Sequence, residues 1–278
     1  MNFKKIVYSF ERNGVIGAIN VIFGKLGIKY RIKNAIDSRI LWLGNQIKKV
    51  TLNTVQTGPY KGMILSDDVF WNDKDISSKL LGYYEKEVQH EMESLQKNNN
   101  KKYLINLGGG EGFHAIGAVK SRLFDKTIVF EKEEVGKKII KKNALLNNLE
   151  SKIFIEGNST KYFLDTKSLL EINLEECCFL IDIEGDEFEI LNDTNLMKMS
   201  KSNMILEFHE HQDLNNKIKN EKLTNLLKKY FKIKTITTGA RDLSDFKFLK
   251  NFEDIDRWLI VSENRPILMS WIVCVPFN

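Results

Sequence analysis

Ile105-Asn106-Leu107-Gly108-Gly109-Gly110-Glu111-Gly112 closes one apolar run and opens a helical one. A strand that ends in a run of glycines and turns straight into a helix is a ligand-approach geometry. The glycines permit positive φ and let the backbone come close to a bound group. The helix N-terminus adds unpaired N–H donors and a partial positive charge. Nineteen residues beyond Gly112, Glu131 closes a second apolar run. A carboxylate at that place can accept hydrogen bonds from both hydroxyls of a ribose.

Working outward, short β-branched runs alternate with helical patterns from Tyr103 to the end of the chain. Strands are expected at 103–107, 127–131, 152–156, 178–183, 204–208, 232–237 and 271–276, with helices at 112–121, 132–147, 186–197 and 218–230. That alternation predicts βαβ units and a parallel sheet. Most of these strands are apolar throughout, as expected when helices cover both faces. Leu80, Tyr84, Val88, Met92 and Leu95 recur at helical spacing, which predicts one amphipathic helix over 78–97. The expected organisation is a basic helical extension over 1–55, a hairpin and helix over 56–100, and the sheet domain over 101–278. The long connection 239–269 is poorly periodic, as substrate-side insertions often are.

The glycine loop is open to two nucleotide classes. Gly110-x-Gly112-x-x-Ala115 matches the dinucleotide fingerprint, which would lead to hydride chemistry. Gly108-x-Gly110-x-Gly112 instead resembles the loop that holds S-adenosylmethionine (SAM) in class I methyltransferases.

A second run bears on the choice. Phe179-Leu180-Ile181-Asp182-Ile183-Glu184-Gly185-Asp186-Glu187-Phe188-Glu189-Ile190-Leu191 delivers Asp182 and Glu184 to the carboxyl end of a strand, on the same face. In open α/β sheets the ligand crevice lies at that edge. Asp182, Glu184, Gly185, Glu187 and Leu191 match D-x-E-G-x-E-x-x-x-L, and the chain here resembles the FkbM-type SAM-dependent methyltransferases. The resemblance continues through Leu81-Gly82-Tyr83-Tyr84-Glu85, Met204 to His209 and Met269 to Pro276, spanning about residues 80–278.

That resemblance implies a Rossmann-like, seven-stranded α/β sheet with an antiparallel last strand, SAM as methyl donor, and O-methylation of a hydroxyl on a sugar or secondary-metabolite precursor. It places Gly108, Gly110 and Gly112 along the methionine part of SAM, Glu131 at the ribose and Asn158 on the adenine side. The first strand carries Asn106 where the family usually has an acid, leaving Glu111 or Glu85 to face the amino group. A nicotinamide oxidoreductase and a methyltransferase-fold subunit without catalysis are the alternatives.

A sugar hydroxyl is barely ionised at neutral pH, so methyl transfer to it calls for a base or a metal. His209, after the fifth strand, is the first candidate base, with Glu210 and His211 as neighbours. Asp182 and Glu207 end adjacent strands and are the hard-oxygen candidates for Mg²⁺. Without metal, Asp182 and Glu184 are expected to orient the acceptor, with Asp182 the less solvated. Asp67, Asp68 and Trp71 read most simply as a surface loop, and His114 as a packed histidine.

The formal net charge of +5 is mild, but residues 1–50 hold ten Lys/Arg against two acids, a local +8. The remainder is slightly acidic, so a chain-wide field for nucleic acid is not expected. Val15, Ile16, Ile19, Ile22, Phe23 and Leu26 form an apolar stripe within the basic segment, interrupted by Asn20 and Lys25 and shorter than a membrane span. This segment is the candidate for peripheral membrane contact or homo-oligomerisation. Three cysteines in apolar runs, with no zinc spacing, predict reduced thiols and a cytoplasmic protein.

Overall fold

The computed structural model describes residues 3–28, 35–68, 70, 73–207, 214–265 and 267–277. Seven strands form one sheet: β1 (Tyr103–Leu107), β2 (Lys126–Phe130), β3 (Ile153–Glu156), β4 (Cys177–Ile181), β5 (Asn203–Glu207), β6 (Phe231–Thr237) and β7 (Ser270–Pro276). Their order is β3-β2-β1-β4-β5-β7-β6. The first five are parallel, and β7 is antiparallel to both β5 and β6. The chain order reverses at β1, whose neighbours are β2 and β4, so a crevice opens outside the carboxyl ends of these strands.

The helices before the sheet are α1 (Phe3–Lys25), α2 (Ala35–Thr51), α3 (Ile76–Leu81) and α4 (Lys86–Asn99). Those within and after it are α5 (Phe113–Lys120), α6 (Glu134–Leu146), α7 (Lys167–Leu170), α8 (Glu187–Ile190), α9 (Asp193–Met199), α10 (Leu214–Tyr230) and α11 (Asp254–Val261). No described helix is long and apolar enough to cross a membrane.

Helices bury both faces of the sheet, which is why its strands read as apolar throughout. Neighbours on β1 point into opposite layers: Leu104 joins one with Val88, Ile116 and Trp271, while Ile105 joins another with Phe130, Phe179 and Leu227. The first layer runs across the expected divisions at 55 and 100, because it also takes in Leu43 and Ile47 of α2 together with Tyr60 and Met63.

Two expected helices are each two helices. The segment 78–97 breaks at Gly82 (φ 83°) and Glu85 (φ 44°). Thr57 crosses there: a Cβ on Gly82 would lie 2.1 Å from the Thr57 carbonyl oxygen. The apolar spacing persists through the break because α3 and α4 face the same core, and so it imitates one helix. The segment 186–197 breaks at Asn192, whose side chain accepts from the Asn195 N–H at 3.1 Å and starts α9.

Candidate active site

The glycine loop is held between β2 and β4. Gly108 and Gly109 donate their N–H groups to the Phe130 carbonyl at 3.1 and 2.9 Å. Gly108 (φ 86°) lies so near β4 that a Cβ would fall 1.7 Å from the Asp182 carbonyl oxygen. Gly110 (φ 53°) differs: nothing lies within 4 Å of where its Cβ would be. Its open side belongs to a cavity of about 310 Å³ lined also by Glu131, Asn158, Asp182, Glu184 and Arg265, within the range of small-ligand sites.

Glu131, one residue past β2, is buried and fixes the loop. Its two carboxylate oxygens accept from Gly110 N at 2.7 Å and Glu133 N at 2.8 Å. Each oxygen keeps a second lone-pair direction for a ligand hydroxyl. At the end of β4, Glu184 (φ 55°) and Gly185 (φ 110°) make the turn into α8. Buried Glu187 stabilises that turn by accepting from the Ile183 N–H at 3.2 Å.

A charged network closes the cavity on its other side. Arg265 donates to Glu207 at 3.1 Å, to the Tyr84 hydroxyl at 3.1 Å and to Glu85. Glu85 Oε2 lies 2.8 Å from His114 Nε2, and His114 Nδ1 lies 3.1 Å from the Tyr60 hydroxyl. Burial would raise the Glu85 carboxyl, but the Arg265 charge and the His114 hydrogen bond outweigh it and hold the group at about 2. Burial, and then the Glu85 charge, raise Tyr60 well above its ordinary value. His114 thus bridges the Glu85 carboxylate and the Tyr60 hydroxyl through its two ring nitrogens. Beside this network Lys79 pairs with Asp75 at 2.9 Å and with Glu111. Burial pushes Asp75 up to about 6 against the pull of Lys79.

The cavity gathers Asn106, Gly108, Gly110, Glu111, Glu131, Asn158, Asp182, Glu184, Glu207 and Glu85 from the sequence-derived set. Gly112 caps α5 directly behind the loop. Asn106 spends its amide on the Gly108 and Leu180 carbonyls at 3.4 and 3.5 Å, and Glu111 is paired to Lys79. Asp182 is half-buried and Glu184 exposed, in the expected order of solvation. One carboxylate oxygen each from Glu85, Asp182 and Glu207 lies within 4.8 Å of the others, so Glu85 joins the expected acidic pair. His209, Glu210, His211 and Trp71 lie outside the described residues. Asp67 and Asp68 are on the surface, where Asp68 pairs with Lys142 at 2.6 Å.

No protein-family model matches this chain, and no curated protein does. Among solved structures, the precorrin-6y C5,15-methyltransferase from Geobacter metallireducens GS-15 superposes with a TM-score of 0.50 at 12% identity, over 77% of this chain and 97% of that one. This chain has the class I methyltransferase fold. A putative O-methyltransferase from Klebsiella pneumoniae matches with a TM-score of 0.45 at 9% identity, over 96% of this chain and 100% of that one. An O-methyltransferase from Bacillus cereus in complex with SAH matches with 0.45 at 11%, over 94% and 97%.

Within this methyltransferase fold, Arg265, Lys79, Asp75, Tyr84 and Glu263 are among the cavity residues that sequence reasoning missed. One signal was available for the arginine. The chain has 35 lysines and seven arginines, so each arginine is a candidate for a place where a forked donor is used, and among the described residues three are. Arg39 holds Asp256 with two bonds, Arg241 holds Glu87 with two, and Arg265 holds Glu85 and Glu207.

Proposed function

We propose that this protein is a SAM-dependent O-methyltransferase of the FkbM type, acting on a hydroxyl of a sugar or of a glycan or secondary-metabolite precursor. The observation that carries the reading is the pairing of Gly110 with Glu131. A backbone open to the cavity and a carboxylate at the end of the neighbouring strand meet at the switch point of the sheet. Gly108 to Gly112 would hold the methionine part, Glu131 the ribose and Asn158 the adenine side. Bound there, the cofactor supplies an activated methyl group, and alignment of the acceptor oxygen provides much of the rate.

Asp182 and Glu184 orient the acceptor at the end of β4, and the acceptor proton passes to a base, for which His209 is the first candidate. Arg265 supplies the positive charge that Glu207 and Asp182 would otherwise share with Mg²⁺, so this reading takes the reaction as independent of metal. Full activity after EDTA treatment and dialysis is the expected result. The antiparallel β7 supports SAM over a nicotinamide cofactor, because the dinucleotide order 3-2-1-4-5-6 ends on a sixth parallel strand.

Calorimetry tests the reading. Micromolar binding of SAM or S-adenosylhomocysteine supports it, NAD(H) binding replaces it with an oxidoreductase, and binding of neither leaves a non-catalytic subunit. Mass spectrometry of extracts supplied with labelled SAM then identifies the methylated acceptor.

A further inference from the structure

The basic N-terminal segment takes no part in that chemistry, and exposed apolar side chains are concentrated in it. Among the described residues 23 large hydrophobic side chains are exposed, and ten of them fall within the first 52 positions, about a fifth of the chain. Helix α1 leaves helical geometry at Gly14 (φ 60°, ψ −155°), which divides it into two arms. On the second arm Val15 and Ile22, with Leu26 just beyond the helix, stand at i, i+7 and i+11 and therefore share one face. Val15 is 63% exposed and Leu26 68%. Ile16, Ile19 and Phe23, from the same expected stripe, are half-buried. On the first arm Val7 and Phe10 are exposed as well.

Helix α2 continues the pattern on its outer side. Ile40, Leu43 and Ile47 are buried inward, while Trp42 and Val50, with Leu52 just after the helix, are exposed. Helix α11, tied to α2 by Arg39 and Asp256, adds exposed Ile255 and Trp258. Exposed Lys5, Lys25 and Lys49 accompany these side chains, within a segment whose formal charge is +8. Exposed apolar residues accompanied by lysines and tryptophans are the chemistry of a helix lying in a headgroup layer. A second copy of this surface would bring two strongly basic segments together, which charge repulsion opposes.

We infer that residues 3–28 and 35–52 dock the protein on an anionic phospholipid surface, with α1 lying in the plane of the headgroups. Docking places the catalytic cavity beside a membrane without a spanning helix and does not depend on which cofactor the cavity takes. The test is sedimentation of the full chain with phosphatidylglycerol–phosphatidylcholine vesicles and with pure phosphatidylcholine vesicles. The expected result is binding roughly tenfold or more stronger to the anionic vesicles, and release at about 0.5 M salt, where charges are screened within a few ångströms. The double variant Val15→Glu/Ile22→Glu, at exposed positions, loses about tenfold or more of that binding while keeping the wild-type thermal melt. Lys25→Glu weakens it through charge alone. Equal binding to both vesicle types, or undiminished binding by the Glu variant, overturns the inference. So does a dimer in light scattering that the variant abolishes while wild-type protein ignores vesicles.

Discussion

Arg265 donates to Glu207 at the end of β5 across 3.1 Å and, from the same guanidinium, to Glu85 between α3 and α4. The arginine thereby ties the segment before β7 to two other parts of the chain at the cavity wall. Both carboxylates are almost fully buried, so removing their cation leaves charge with no solvent to stabilise it. Arg265→Met is expected to destabilise the protein by about 3–5 kcal/mol in urea unfolding. Adding Glu207→Gln should recover part of that loss. Equal stability of wild type and single variant would show that the network carries no energy.

Glu85 sets an acid limb for stability. Its carboxyl sits at about 2 in the folded protein against an ordinary value of 4.5. A depressed folded-state value means a contribution fully present above about pH 4.5 and lost as pH falls toward 2. Melting temperature followed through that window should drop steeply in wild type and more gently in Glu85→Gln, which starts lower at neutral pH.

Glu131 links the loop to the ligand. Glu131→Ala removes the acceptor of the Gly110 and Glu133 N–H groups as well as the proposed ribose contact. Losing about 1–3 kcal/mol corresponds to SAM binding weaker by roughly 5- to 150-fold in calorimetry. Unchanged affinity would remove Glu131 from the ribose.

Gly117 makes room for Tyr60, because a Cβ there would lie 2.3 Å from the ring. Both are buried, and the ring cannot retreat without vacating its place against Phe113 and His114. Gly117→Ala should cost about 1–3 kcal/mol by overpacking. The penalty should shrink in a Tyr60→Leu background, which identifies the ring as the obstacle.

Burial pushes the thiols of Cys177 and Cys178 up to about 12, and burial raises Cys274 as well. A thiol reagent at pH 8 should therefore find the native protein unreactive. After denaturation it should titrate three thiols per chain, all three being free. Rapid reaction of the native protein would mean that the sheet opens at β4 or β7.

By itself the sequence determined the sheet and the edge at which the cavity opens, because both are written in local periods. Buried strands are apolar runs, and a turn needing positive φ takes Gly108, Gly110 and Gly112. The expected shared face of Asp182 and Glu184 is lost, because β4 ends at Ile181 and Glu184 (φ 55°) already lies in the turn beyond it. The break between α3 and α4 escaped that reading, since Leu80, Tyr84 and Val88 face one core on both sides of it. What only the tertiary structure decided is how the cavity is charged. Arg265 meets Glu85 across 180 positions of sequence, and Lys79 meets Glu111 across 32. No spacing rule spans such distances. Those pairs exist because packing buries Glu85 between α3 and α4 and sets Glu111 after β1 against buried Lys79, and a buried charge is stable only where the fold brings a counter-charge to it.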